Sequence, residues 1–169
     1  METIVYIQKQ FASVKRQFDG VMQETTEEQI NWTPPGTANA IGITLVHLAG
    51  TLDNAFQCIL QGQPLLWDSG QWGEKLGLSG LPGRVHGWDE IKSKHLALGA
   101  VMEYVKTVFA GVDASLAGLT AADLERLVTF YGNERPVADL LVMQFAHALI
   151  HTGEIAALKG MQGVKGLPV

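Results

Sequence analysis

The sequence predicts an all-α protein, a four-helix bundle in which a long insert containing glycine and tryptophan separates helices two and three. Three observations predict it. Apolar residues recur every three or four positions over four separate stretches, proline and glycine punctuate the chain between them, and no stretch sustains the alternation of a half-buried strand. With 169 residues, 47% of them hydrophobic and 17% charged, the chain is sized for one domain over residues 1–169, whose core needs no disulfide or structural metal.

The first helix is set by Ile4, Ile7, Phe11, Val14, Phe18 and Val21, while Lys9, Gln10, Lys15, Arg16 and Gln17 fall on other faces. Residues 25–36, with Trp32 and Pro34-Pro35-Gly36, read as a turn. The second helix then runs from Asn39 to Gln61 on the stripe Leu45, Leu48, Leu52, Phe56 and Ile59, and Gly62-Gln63-Pro64 ends it. Residues 62–87 show no helical or alternating pattern and read as a long ordered loop, serving as a lid, a subunit contact or simply a cover over one end of the bundle.

Trp88-Asp89-Glu90 opens a third helix that carries Ile91, Leu98, Val101, Met102, Val105, Val108 and Phe109 to a stop at Gly111. A short helical piece, Asp113 to Leu116, and the capping-like Thr120-Ala121-Ala122-Asp123 follow, and Leu127 to Tyr131 has the composition of an extended segment. Pro136 suits the first turn of a fourth helix, which continues through Leu140, Leu141, Met143, His147, Ile150, His151, Ile155 and Leu158 to Gly160. A glycine-rich tail packs loosely.

Net charge is −5, with 12 Lys+Arg against 17 Asp+Glu, and the longest basic run is Lys15-Arg16. That leaves no electrostatic footprint for a phosphate backbone, so no nucleic-acid partner is expected. The single cysteine, Cys58, excludes an intramolecular disulfide. No apolar run approaches the length of a bilayer span, and Met1-Glu2-Thr3 does not open a signal peptide. A cytoplasmic protein without membrane attachment is the expectation.

The chemistry of the chain concentrates on helix four, where His147 and His151 stand at i and i+4. Such positions lie about 40° apart around the axis and about 6 Å along it, so both imidazoles can converge on one ion. Five histidines in a chain this long produce that spacing by chance roughly one time in nine, so the third ligand matters. His47 sits among apolar neighbours on helix two and can face helix four across the core, whereas His95, in a polar stretch of helix three, and His86, in the insert, read as solvated. Glu154 shares the stripe of His147 and His151; it can orient an imidazole or act as a general base, or it can cap the helix in solvent or pair with Lys159.

Other residues carry less. Cys58 is eleven positions after His47, about 16 Å further along a helix axis, too far to share an ion, and reads as a small core residue. Thr44, Thr51 and Asn54 flank His47 and suit either polar pocket walls or interhelical hydrogen bonds. Trp67, Trp72 and Trp88 can roof a pocket over the site or serve packing and dimer contacts. The glycines match no nucleotide-binding loop, HExxH is absent, and His151-Thr-Gly-Glu154 reverses the Glu-x-x-His of di-iron bundles.

The segment Asn39-Ala-Ile-Gly-Ile-Thr-Leu-Val-His47-Leu-Ala-Gly, the run Gly62-Gln-Pro-Leu-Leu-Trp67-Asp68, Trp72-Gly-Glu-Lys-Leu-Gly and the closing HxxxHxGE of His147 to Glu154 together resemble the DinB/YfiT-like family of metal-dependent enzymes. The resemblance extends over roughly the whole chain. It implies a four-helix bundle of unusual connectivity, often dimeric, with His47, His147 and His151 as ligands of one divalent metal ion. Three neutral imidazoles suit Zn, Ni or Fe(II) and leave a coordination position open. The implied activity is that of a metal-dependent hydrolase or a thiol-dependent S-transferase acting on a small molecule, the latter with a low-molecular-weight thiol as co-substrate. The alternative is a non-catalytic metal-binding or stress-response protein.

Overall fold

In the computed structural model, which describes residues 2–81, 92 and 94–167, four long helical segments form the bundle. Helix α1 spans Thr3–Met22, and the short α2 spans Glu27–Asn31. Helix α3, Ile41–Asp53, continues directly into a π-helical stretch, Asn54–Leu60. Two short helices, α4 (Leu66–Ser69) and α5 (Trp72–Leu76), lie in the insert. Helix α6 runs over Leu98–Gly118 and α7 over Val137–Met161. Between these two lies a 3-10 turn, Ala122–Glu125, and an antiparallel hairpin of β1 (Leu127–Phe130) and β2 (Asn133–Pro136). Helix α3 packs on α6 and α7, and α1 packs on α7 and α6. One apolar cluster fills the space between them, with Phe18, Val21, Leu45, Leu48, Tyr104, Leu140 and Ile155 all nearly inaccessible to water.

The apolar periodicity located the long helices, but their ends are set by residues distant in sequence. The expected turn at residues 25–36 contains α2, whose five residues are too few for a periodic signal. A capping box starts it: Gln29 N–H donates to Thr26 Oγ1 at 3.3 Å while Thr26 N–H donates to Gln29 Oε1 at 3.0 Å. Helix α6 begins at Leu98, later than expected; the predicted start at Trp88-Asp89-Glu90 lies outside the described residues. Its N-terminus is capped across the bundle by Glu27, which accepts from Leu98 N–H at 3.0 Å. Asn31 holds Leu96, two residues earlier, from both sides, accepting from Leu96 N–H and donating to Leu96 O.

Gly111 does not stop α6, which absorbs the expected piece Asp113 to Leu116 and continues to Gly118. A Cβ at Gly111 would stand 2.9 Å from Gln57 Nε2 and 3.1 Å from Leu66 Cδ1, so this glycine serves close packing rather than termination. Pro136 is the N-cap of α7, immediately before its first turn, and the stop expected at Gly160 moves to Gly163, which has φ +75°. The segment expected to be extended is β1. Its hairpin turns on Tyr131 (φ 50°) and Gly132 (φ 74°), the positive-φ pair of a two-residue loop.

The insert is built around Asp53. Only 1% exposed, its carboxylate accepts from Leu66 N–H at 2.9 Å, Trp67 N–H at 2.8 Å and Tyr104 O–H at 3.2 Å, and so caps α4 from the end of α3. Trp67 and Trp72 pack on Tyr104 with ring centroids 5.3 and 5.4 Å away. At the opposite corner, buried Lys159 of α7 donates to Val21 O (2.6 Å), Gln23 O (3.0 Å) and Thr25 Oγ1 (3.0 Å), satisfying the carbonyls at the end of α1.

Two helical stretches, Ile41–Leu60 and Val137–Met161, are long and apolar enough to cross a bilayer by length and composition, contrary to the expectation that none approaches that length. The difference arises because a helix-long window tolerates scattered polar residues such as Thr44, His47 and Gln144 that interrupt a continuous apolar run. Core helices of a bundle have the same profile, and 67% of the first apolar window is buried against the rest of the protein.

Candidate metal centre

His47 is brought to the centre by α3, and His147 and His151 by successive turns of α7. All three are half-buried, and one ring nitrogen from each lies within 4.8 Å of the others. His151 Nε2 stands 3.0 Å from His147 Nε2, which stands 3.3 Å from His47 Nε2. Zn–N bonds of about 2.0–2.1 Å at tetrahedral angles place two ligand nitrogens about 3.3 Å apart. Two of the three pairs therefore stand near the spacing of a shared ion, and the third lies within 4.8 Å.

Electrostatics keep His147 in its ligating form. His147 is pushed down to about 4 by burial first, and then by the neighbouring His151 and His47, so it is neutral at pH 7. His151 Nδ1 lies 2.6 Å from Glu154 Oε2. Donation of Nδ1–H to that carboxylate leaves the Nε2 lone pair directed at the centre, the arrangement by which a carboxylate sets the tautomer of a metal-binding histidine. Glu154 is thus on His151, and Lys159, its expected alternative partner, is occupied at the end of α1.

The remaining sequence candidates separate cleanly. His95 is exposed and bonded to Glu27 at 3.1 Å, and its segment precedes α6 instead of lying on a helix. His86 and Trp88 lie outside the described residues. Trp67 and Trp72 pack on Tyr104 and line no part of the cavity beside the triad. Thr44 is buried, whereas Thr51 and Asn54 form cavity wall.

Cys58 departs from its expected core placement and is exposed. The π-helical stretch, with its i to i+5 bonding, changes the phase of the helix, so that Phe56 and Leu60 point into the core while Cys58 and Ile59 turn to the cavity. This cavity, about 360 Å³, begins at His47 and is closed on its far side by the β1–β2 hairpin through Thr129, Phe130 and Tyr131. Its inner wall includes Gln144, which sequence reasoning passed over. The signal was an amide among Leu140, Leu141 and Ala148 on the buried stripe of α7, three residues before His147.

A model of the DinB superfamily matches residues 10–155. The chain belongs to the DinB superfamily. Among solved structures, a conserved protein from Enterococcus faecalis is similar at a TM-score of 0.79 and 19% identity, over 94% of this chain and 96% of that one. A DinB-like protein from Bacillus subtilis follows at a TM-score of 0.66 and 15% identity, covering 97% of this chain and 96% of its own. A DinB-like protein from Bacillus cereus shares the fold at a TM-score of 0.59 and 15% identity, over 95% and 90%. No curated protein matches the chain. At these identities the structural likeness concerns the DinB fold, an all-α architecture in which the small hairpin is the one sheet among the described residues.

Proposed function

We propose that this DinB protein binds one divalent ion through His47, His147 and His151 and acts on a small molecule as a metal-dependent hydrolase or a thiol-dependent S-transferase. The observation that carries this reading is the convergence of three Nε2 atoms at ligand spacing beside an open cavity. Zn, Ni or Fe(II) fits an all-imidazole set. A bound ion of this kind supplies Lewis acidity, which lowers the pKa of water towards 7 or holds a thiol as its thiolate. The chain's own residues do the rest: Glu154 fixes the His151 ring and is a carboxylate at hand for moving a proton, and the cavity beside His47 admits the substrate. A thiol co-substrate would enter by the same opening.

The reading includes a homodimer, because α7 leaves Val142 (69% exposed), Leu149 (40%) and Ile150 (66%) on one uncovered apolar face. It places the protein in the cytoplasm, where a lone accessible thiol such as Cys58 stays reduced. Elemental analysis of anaerobically purified protein tests the metal: about one divalent ion per chain is expected, lost for the most part in His147→Ala. Full retention by that variant refutes the ligand set. Inactivity of the fully loaded protein towards thiol acceptors, esters and amides would instead support a non-catalytic metal-binding or stress-response role.

A further inference from the structure

Gln144 is 2% exposed, and its Oε1 is a fully buried acceptor with no hydrogen-bond partner among the described residues. Leaving a buried amide unpaired is costly, and native proteins seldom tolerate it without a purpose. The side chain forms part of the wall of the cavity that begins at His47, where the apolar surfaces of Ile59, Phe130 and Met143 surround it. Among the described residues, no Lys, Arg, Asp or Glu lines this cavity. Its polar wall consists of neutral groups, including Thr51 and Asn54. Away from the ion held by the triad, a carboxylate or phosphate would lose water and meet no cationic side chain, whereas a neutral amide can exchange hydrogen bonds with the carboxamide of Gln144.

We infer that Gln144 is a specificity-determining residue of the substrate cavity, and that it selects small molecules carrying an uncharged carboxamide a few bonds from the group that meets the triad. The inference rests on the metal-binding reading above. A site built to pair with a substrate amide rejects an analogue that cannot pair, because its own buried group is then left unsatisfied.

Two thiols of equal length test this on protein loaded with Co(II), where thiolate binding is read from the charge-transfer absorption. 3-Mercaptopropionamide is expected to bind at least about tenfold more tightly than 3-mercaptopropionate, the equivalent of one hydrogen bond in a dry site. Gln144→Met should erase that preference and raise the melting temperature, since it removes an unpaired buried amide. A structural role for Gln144 predicts the opposite thermal shift. Retention of the preference in Gln144→Met, or a lowered melting temperature, overturns the inference while leaving the triad intact. Absence of a charge-transfer band with either thiol in the Co(II)-loaded native protein overturns the inference, whereas failure of the protein to take up Co(II) overturns the metal reading, and the inference with it.

Discussion

Asp53→Ala should unfasten the insert from the bundle, and the cost can be worked from three contacts. The native carboxylate accepts from Leu66 N–H, Trp67 N–H and Tyr104 O–H, and it is 1% exposed. Truncation leaves three donors, each costing about 1–3 kcal/mol where water cannot replace the lost partner. Trp67 and Tyr104 are buried and bear that cost fully, whereas Leu66 is half-buried and reaches water more easily. Against this stands the relief of a carboxylate whose burial pushes its pKa above the usual aspartate range despite the three donors. The net expectation is a loss of about 2–4 kcal/mol. For a chain of this length that lowers the melting temperature by about 4–15 °C. Urea and thermal unfolding followed by circular dichroism measure it, and the fluorescence of Trp67 and Trp72 reports whether α4 and α5 detach first. A loss below about 1 kcal/mol would show that the insert stays docked through its tryptophans alone and would refute the capping argument.

Two further outcomes are expected at the triad. Glu154→Gln should weaken divalent-ion affinity by about 10–100-fold in a competitive chelator titration, because the amide is a poorer acceptor for His151 Nδ1–H; an unchanged affinity would remove Glu154 from the site. Metal-free protein should lose stability as pH falls from about 6.5 to about 4, since His147 is held neutral by burial in the folded state and gains its proton more readily when unfolded. The unfolded chain binds more protons in that window, so stability falls with pH there. Thermal melts of metal-free His147→Gln should show a shallower decline, and parallel profiles for the two proteins would contradict the assignment.

The long helices were legible because burying one face of a helix imposes a period that survives in the sequence. The triad was legible for a related reason: His147 and His151 share a stripe, and His47 lay on the other strongly apolar helix. Helix ends were less legible, since Glu27 caps α6 and Asp53 caps α4 from positions that only tertiary structure brings near. Gly111 carries a stop signal in sequence and a packing role in space. Cys58 reads as a core residue because a small unpaired cysteine is commonly buried, and its exposure on the π-helical stretch leaves no trace in the sequence. Gln144 escaped notice because an isolated amide on a buried stripe looks like a tolerated irregularity until the cavity beside it is seen.

The clasp formed by Lys159 has a consequence for how the protein is made. Its ammonium satisfies the final carbonyls of α1 from a position 138 residues downstream of Val21. During synthesis α1 emerges early, and until Lys159 arrives the carbonyls of Val21 and Gln23 have only water as a donor in its place. The end of the first helix is thus completed by a residue of the last, and a chain cut short before residue 159 would leave these acceptors to water.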